Sequence, residues 1–146
     1  MLHILLIEDD DDQAEICSYH LEQTAVEHRV SRASDGERAL ELLRKATDDD
    51  AASLPDLILL DLNLPRINGH EVLRRIKEHE RLRSIPVVVL TSSSSAQDRA
   101  LAHDNHANSY LVKPMGFDDY GELMSTLSTY WNLCQDDRPR DMPRAS

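Results

Sequence analysis

Three short apolar runs constrain the fold of this chain more than any other feature of its sequence. They are Leu2–Ile7, Leu57–Leu60 and Val87–Leu90, each about the length of a strand. None of them alternates regularly between apolar and polar residues, as a strand with one face in water does. Continuous apolar strands are typical of a parallel sheet that helices cover on both faces. The runs therefore predict an α/β fold.

The segments between these runs have helical spacing. Weaker strand patterns around 29–33 and 109–112 complete a β-α order that repeats five times, which predicts one doubly wound domain with right-handed crossovers. We place this domain at residues 1–134. Four apolar stripes mark the helices: Ala14, Cys17, Leu21 and Ala25; Ala39, Leu40 and Leu43; Val72, Leu73 and Ile76; and Tyr120, Leu123, Met124, Leu127, Trp131 and Cys134.

Two segments fall outside this pattern. The polar stretch Thr47–Ser53 is interpreted as a loop. Residues 135–146 contain Pro139, Pro143 and charges of both signs, which predicts a flexible C-terminal tail. Neither segment has a predicted role.

The charge of the chain excludes several classes of function. Among 146 residues, 27 acidic and 16 basic side chains give a formal net charge of −11, which disfavours binding to nucleic acid or to an anionic membrane surface. No apolar run approaches the roughly 20 residues that span a bilayer. The two cysteines, Cys17 and Cys134, are too few for a disulfide framework. The residues after Met1 have neither the basic region nor the long apolar region of a leader segment. We expect a cytoplasmic protein with no DNA-binding domain and no membrane association.

Charged and polar residues follow the predicted strands at the point where each strand ends. The first strand ends in Glu8 and Asp9, the third in Asp61, the fourth in Thr91 and the fifth in Lys113. Because ligands of open parallel sheets bind at the carboxyl ends of the strands, we expect these side chains to share one edge of the sheet.

Such a cluster requires compensation for its negative charge. Two carboxylates about 4 Å apart repel by roughly 4 kcal/mol at an effective dielectric constant of 20. Either some pKa values rise or a cation lies among them, and hard carboxylate oxygens suit Mg²⁺. A hydrated metal ion beside a free carboxylate and a lysine is typical of phosphoryl transfer. A plainer interpretation is that an Asp after a strand only caps the next helix, and this fits Asp11 or Asp12. For the second helix, the predicted cap is Ser34 or Asp35.

These motifs together resemble the CheY-like receiver domain of two-component signalling. The resemblance rests on Glu8-Asp9, on Asp61-Leu62-Asn63-Leu64-Pro65 with Gly69, on Thr91-Ser92 and on Lys113-Pro114, and it extends over residues 2 to about 134. It implies a flavodoxin-like fold with strand order 2-1-3-4-5. It also implies a single-domain response regulator, which accepts a phosphoryl group from a sensor histidine kinase and catalyses only its own phosphorylation and dephosphorylation.

The resemblance also assigns roles to individual residues. Asp61 would be the phosphoacceptor, and Mg²⁺, for which Mn²⁺ or Ca²⁺ can substitute, would be the cofactor. The implied metal ligands are Glu8 (through water), Asp9, Asp61 and the main-chain carbonyl of Asn63. The phosphoryl group would be contacted by Thr91, Ser92 and Lys113. Tyr110 would be a switch coupled to Thr91, and Pro114 would follow a cis peptide bond.

A narrower similarity concerns the partner. Residues 61–66, 90–93, 107–114 and 129–131 are similar to single-domain regulators that are paired with bacteriophytochrome histidine kinases. This similarity predicts a red-light sensor kinase as the cognate partner.

The end of the last predicted helix is too apolar for one core face. Tyr130, Trp131 and Leu133 spread beyond a single stripe, which favours a homodimer contact through this helix. The alternative is that the tail folds over these side chains.

Two other functions compete with the phosphorylation switch. A Mg²⁺-dependent phosphatase of the haloacid-dehalogenase kind also uses an Asp nucleophile on such a sheet. It needs a second acid two residues later, where this chain has Asn63. A degenerate receiver that acts only as a scaffold is the other alternative.

The His103 and His106 pair is interpreted as a solvated surface, and the serines at 92–95 as a loop that caps the next helix.

Overall fold

Five parallel strands form one sheet in the order β2-β1-β3-β4-β5, as predicted. The computed structural model describes residues 2–24, 27–49 and 54–136. The elements, in chain order, are β1 (Leu2–Ile7), α1 (Asp11–Glu22), β2 (His28–Ala33), α2 (Gly36–Asp49), β3 (Leu57–Leu60), α3 (Gly69–Glu78), β4 (Val87–Thr91), α4 (Ala96–Asp104), β5 (Ser109–Val112) and α5 (Phe117–Asp136).

The sheet has a separate apolar core on each face. In β1, Leu5 and Ile7 pack into one core, which also contains side chains of α2 and α3. Ile4 and Leu6 point to the other face, where they meet side chains of α1 and α5. Since successive residues of a strand point to opposite faces, a strand buried on both faces needs an apolar residue at almost every position. This explains the runs from which the fold was predicted.

The helix starts are capped by side chains at positions close to those predicted. Helix α1 is capped by Asp10, not by Asp11 or Asp12: its Oδ1 accepts from the N–H groups of Asp12 at 2.8 Å and Gln13 at 3.2 Å. The cap must have an extended backbone, and Asp10 is the last residue before the helix that has one. At α2, Asp35 accepts from the Arg38 N–H at 2.8 Å, which agrees with one of the two predicted caps.

Helix α2 extends into the segment interpreted as a loop. Thr47 to Asp49 are helical, and residues 50–53 lie outside the described part of the chain. The polar Thr47 is compatible with the helix because its hydroxyl donates to the Arg44 carbonyl at 2.7 Å, and its own carbonyl accepts from Arg81. Helix α5 likewise continues to Asp136, two residues beyond the predicted domain end; no proline occurs between Phe117 and Pro139 to interrupt it.

No helix in the described ranges is long and apolar enough to cross a bilayer.

Candidate functional site

Main-chain hydrogen bonds fix the charged residues that follow β1, β3 and β5. The N–H of Glu8 donates to Ala33 at 3.1 Å, that of Asp61 to Ile7 at 3.0 Å and that of Lys113 to Thr91 at 2.7 Å. Each bond continues the sheet by one residue beyond its strand. The carboxyl edge therefore holds these three side chains on rigid backbone, as the strand ends predicted.

Lys113 joins the two buried carboxylates. Its Nζ donates to Oε1 of Glu8 and, at 3.1 Å, to Oδ2 of Asp61. All three side chains are less than a tenth exposed, so water screens their charges little. The ammonium group thus offsets the repulsion that two such carboxylates would otherwise feel.

The two carboxyl groups have different protonation behaviour. Burial, together with the nearby charge of Asp61, raises the pKa of Glu8 to about 7, although the bond from Lys113 opposes this shift. Burial also disfavours ionisation of Asp61, but the Lys113 charge and the Asn63 N–H outweigh it and hold the pKa of Asp61 below its ordinary value. The Asn63 N–H lies 3.1 Å from Oδ1 of Asp61. Asp61 is therefore ionised at neutral pH.

Asp9 completes an acidic cluster that suits a divalent cation. One oxygen from each of Glu8, Asp9 and Asp61 lies within 4.8 Å of the other two, and Asp9 is the exposed member. Three hard oxygen donors with an opening to solvent fit an ion such as Mg²⁺, which keeps several of its waters. The donor set therefore fits a divalent metal.

The two residues predicted to form a switch, Thr91 and Tyr110, are joined through the loop between β4 and α4. Thr91 is fully buried at the end of β4, and its Oγ1 accepts from the Ser93 N–H at 3.4 Å. Tyr110 is half-buried on β5, and its hydroxyl donates to the Ser93 carbonyl at 2.8 Å. Ser92 is exposed. The structure thus brings Thr91 and Tyr110 to opposite sides of one residue, Ser93.

One sequence prediction is wrong, and another falls on side chains that are not described. The Lys113–Pro114 peptide bond is trans, because no cis bond occurs among the described residues; trans is the intrinsically favoured form by about 0.5–1 kcal/mol for a bond to proline. The side chains of Tyr130, Trp131 and Leu133 lie outside the described residues, so the predicted dimer contact stays a prediction.

The minor interpretations agree with the structure. His103 and His106 are both exposed. Ser95 is the N-cap of α4 and accepts from the N–H groups of Gln97 and Asp98. Asn68, which the sequence analysis did not predict as a cap, is the N-cap of α3 and accepts from the Glu71 N–H at 3.0 Å.

Arg32 is a site residue that the sequence analysis missed. Its guanidinium donates twice to the Glu8 carbonyl, at 2.8 and 3.1 Å, and once to Asp11 at 2.7 Å. It supports the main chain under Glu8 from the neighbouring strand. Its position near the end of β2, beside the end of β1 in the sheet, is the signal that could have revealed it.

Comparison with known proteins identifies the family. Residues 4–125 match the model of the response regulator receiver domain. The chain belongs to this family. It is 44% identical over 128 residues to the probable methanogenesis regulatory protein FilR2 of Methanothrix harundinacea, with 88% of this chain and 82% of that protein covered. It is 34% identical to the response regulator Rcp1 of Synechocystis, with 88% and 87% covered.

Solved structures of phytochrome response regulators are similar to this receiver domain. The Mn²⁺-bound form of Rcp1 has a TM-score of 0.81 at 33% identity, and the phosphorylated cyanobacterial phytochrome response regulator RcpA has 0.83 at 36%; each comparison covers 90% of this chain and 94% of the other. The bacteriophytochrome response regulator RtBRR has 0.70 at 37%, with 87% and 77% covered. The receiver domain thus functions in two-component signalling, in which a histidine kinase phosphorylates an Asp of the regulator.

Proposed function

We propose that Asp61 is the phosphoacceptor of this receiver domain and that the reaction needs Mg²⁺. One observation carries the proposal: Asp61 is a buried, ionised carboxylate whose oxygens already accept from Lys113 and from the Asn63 N–H. Of the other acidic groups at this edge, Glu8 has a pKa of about 7 and Asp9 is exposed. Asp61 alone combines ionisation with a neighbouring cation and a main-chain donor.

The transfer proceeds by in-line displacement at phosphorus. An oxygen of Asp61 forms a bond to the phosphorus of a phosphohistidine on the kinase, and the P–N bond breaks. The electron pair of that bond stays on the imidazole nitrogen, which then takes a proton. Lys113, directly after β5, and the Thr91 hydroxyl, at the end of β4, would contact the transferred group. Ser92 is exposed and leaves access to this group. Dephosphorylation is a separate hydrolysis: water attacks phosphorus, the P–O bond to Asp61 breaks with its electron pair left on the carboxylate, and inorganic phosphate is released.

The metal would be held by the acidic cluster. Asp9, Asp61 and the Asn63 main-chain carbonyl would be its protein ligands, with Glu8 acting through a water molecule. When bound, Mg²⁺ neutralises the developing charge on the phosphoryl oxygens. Mn²⁺ and Ca²⁺ are the expected substitutes, and the Mn²⁺-bound form of the relative Rcp1 supports the first of these.

The decisive experiment uses a small phosphodonor. Acetyl phosphate or phosphoramidate with Mg²⁺ should add one phosphoryl group, read by intact mass, and chelation of Mg²⁺ should prevent the addition. Asp61→Asn should abolish the adduct, whereas Asp12→Asn, which removes an exposed carboxylate of α1, should retain it. An adduct on the Asp61→Asn chain would contradict the assignment, and no adduct on the native chain would favour the scaffold interpretation.

The same chain should not turn over external substrates. Asn63 stands two residues after Asp61, where a phosphatase of the haloacid-dehalogenase kind needs an acid. We therefore expect the receiver to catalyse only its own phosphorylation and dephosphorylation. Sustained hydrolysis of p-nitrophenyl phosphate that is lost in Asp61→Asn would restore the enzyme interpretation.

We further propose that the kinase is a bacteriophytochrome and that residues 1–134 form the functional unit in the cytoplasm. The similarity to Rcp1, RcpA and RtBRR supports a light-regulated kinase. The test is phosphotransfer from a purified bacteriophytochrome kinase, with a matched kinase of another sensor class as the control. Equal transfer from both kinases would contradict the proposed specificity.

Homodimerisation through the last helix is the remaining part of the proposal. It is supported by the sequence alone, in which Tyr130, Trp131 and Leu133 exceed one helical stripe. Light scattering during size exclusion should give a dimer mass for the native chain and a lower mass for Trp131→Ala. A monomer at tens of micromolar, with and without phosphorylation, contradicts this part.

A further inference from the structure

A bridge of three side chains connects α3 to the loop between β4 and α4. Nε2 of His70, in the first turn of α3, lies 2.9 Å from Oδ1 of Asp98. The other oxygen of Asp98, Oδ2, accepts from the Ser93 hydroxyl at 2.6 Å. His70 and Asp98 are 15% and 35% exposed, so the contacts are partly shielded from water. We call this set the His70–Asp98–Ser93 bridge.

The direction of the bonds follows from the state of Asp98. Hydrogen bonds from Ser93 and then from His70 lower the pKa of Asp98, so the carboxylate is ionised and can only accept. Nε2 of His70 must therefore carry a proton. The other ring nitrogen, Nδ1, is buried and has no partner among the described residues. The ring is thus directed by its single bond to Asp98.

Ser93 is the residue through which this bridge reaches the reaction site. Its N–H donates to Oγ1 of Thr91 at 3.4 Å, and its carbonyl accepts from the Tyr110 hydroxyl at 2.8 Å. The Arg99 guanidinium covers the Tyr110 ring at 4.6 Å from its centre. A displacement of Ser93 would therefore alter both the Thr91 hydroxyl and the Tyr110 ring.

We infer that His70 is a positioning residue for phosphorylation: through Asp98 it fixes Ser93, and with it Thr91, in the arrangement that receives the phosphoryl group. The inference rests on the proposed function at Asp61. Donors that are held in place before reaction stabilise developing charge without the cost of ordering them. Without His70, the loop has to be ordered in each transfer, so the transfer slows although the metal cluster is intact.

The first test separates positioning from metal binding. In His70→Ala, we expect the maximal rate of phosphorylation by phosphoramidate to fall about three- to tenfold, which is within the range for the loss of one ordinary hydrogen bond. The Mg²⁺ concentration for half-maximal rate should not change, because Glu8, Asp9 and Asp61 are untouched. In His70→Gln, whose amide can still donate to Asp98, the rate should be within about twofold of the native rate.

Ser93→Ala tests the other end of the bridge. It should slow phosphorylation by a similar factor, and His70→Ala with Ser93→Ala together should slow it little further, because both changes break the same connection. Arg75→Ala is the matched control: it removes an exposed side chain of α3 that pairs only with Glu71 among the described contacts. Thermal unfolding of each variant establishes that it is folded.

A readout without phosphodonor keeps this inference separable from the proposed function. Hydrogen exchange of the amides at 92–95 should be faster in His70→Ala than in the native chain and in His70→Gln. Unchanged or faster phosphorylation in His70→Ala, equal slowing in His70→Ala and His70→Gln, or unchanged exchange would each overturn the positioning role. Absence of any adduct on the native chain would instead overturn the assignment of Asp61.

Discussion

At the scale of single residues, the site is two buried carboxylates around one ammonium. Lys113 is bound to Glu8 and Asp61 before any phosphoryl group arrives. Because it bridges both carboxylates, Lys113 has a structural role in addition to its proposed role in the reaction. Its replacement would leave two buried acidic groups without a cation, which is costly in proteins.

Arg66 is a non-glycine residue with a left-handed backbone conformation. Its φ is 63°, a conformation that costs a non-glycine residue roughly 1–2 kcal/mol. Its exposed guanidinium lies 3.4 Å from Asp35, a weak contact at the surface. We predict that Arg66→Gly raises the free energy of unfolding by about 0.5–1 kcal/mol, the relieved strain less the entropy of glycine, as measured by urea titration.

Arg66→Ala provides the comparison for this prediction. It removes the contact with Asp35 but keeps the unfavourable φ, so its stability should be equal to or slightly below that of the native chain. A glycine variant less stable than the native chain would show that the lost contact and the entropy cost of glycine together outweigh the relieved backbone strain.

Cys17 gives the fold a defined pH dependence. Burial raises the pKa of this thiol from 9.0 to about 11. Between these values the folded chain holds a proton that the unfolded chain has lost, so the stability contributed by the neutral thiol is complete below pH 9 and decreases as pH rises towards 11. The loss amounts to about 2–3 kcal/mol. Cys17→Ala should reduce the decline seen in urea unfolding at pH 8, 9, 10 and 11; parallel curves for both chains would refute this.

At the scale of elements, α3 depends on Gly69 for its close approach to the main chain that follows β3. A Cβ at this position would lie 2.5 Å from the Asp61 carbonyl and 2.5 Å from Cα of Leu62. Both are backbone atoms, which cannot move aside as a side chain can. The start of α3 and the main chain of Asp61, the proposed phosphoacceptor, therefore share one tight contact.

Gly69→Ala should lower both stability and phosphorylation. Overpacking against backbone costs about 1–3 kcal/mol, and the displaced segment carries Asp61. Gly116→Ala is the control, since its nearest atom would be the Asp119 carboxylate at 3.3 Å, the end of a side chain that can move. Denaturant unfolding and the rate of adduct formation measure both effects. A Gly69→Ala chain that matches the native chain in both would show that α3 can shift freely.

The strands and the strand-end residues were predictable because their signals are local. Leu57–Leu60 and Val87–Leu90 are apolar at every position; Asp61 directly follows the first of these strands, and Thr91 is the last residue of the second. Contacts that join distant segments had no such signal. The His70–Asp98–Ser93 bridge forms only when α3 and α4 are neighbours. The Arg81 guanidinium that donates to the Thr47 carbonyl in α2 is 34 residues away along the chain.

At the scale of the whole molecule, the acidic cluster links metal binding to stability. A ligand that binds only the folded chain stabilises it by about 1.4 kcal/mol at tenfold its dissociation constant. Mg²⁺ should therefore raise the unfolding temperature, with Asp9→Asn and Asp61→Asn each diminishing the increase and Asp12→Asn preserving it. An increase that persists without Asp9 and Asp61 would place the metal elsewhere. Differential scanning fluorimetry at constant ionic strength measures this.

The pairing of Lys113 with Glu8 has a consequence for biosynthesis. The two residues are 105 positions apart in the chain, so a ribosome must complete nearly the whole domain before the ammonium group meets its carboxylates. A nascent chain that stops before β5 carries Glu8 and Asp61 without their cation. On the proposed function, competence to receive a phosphoryl group thus requires synthesis of the chain through Lys113, directly after the last strand.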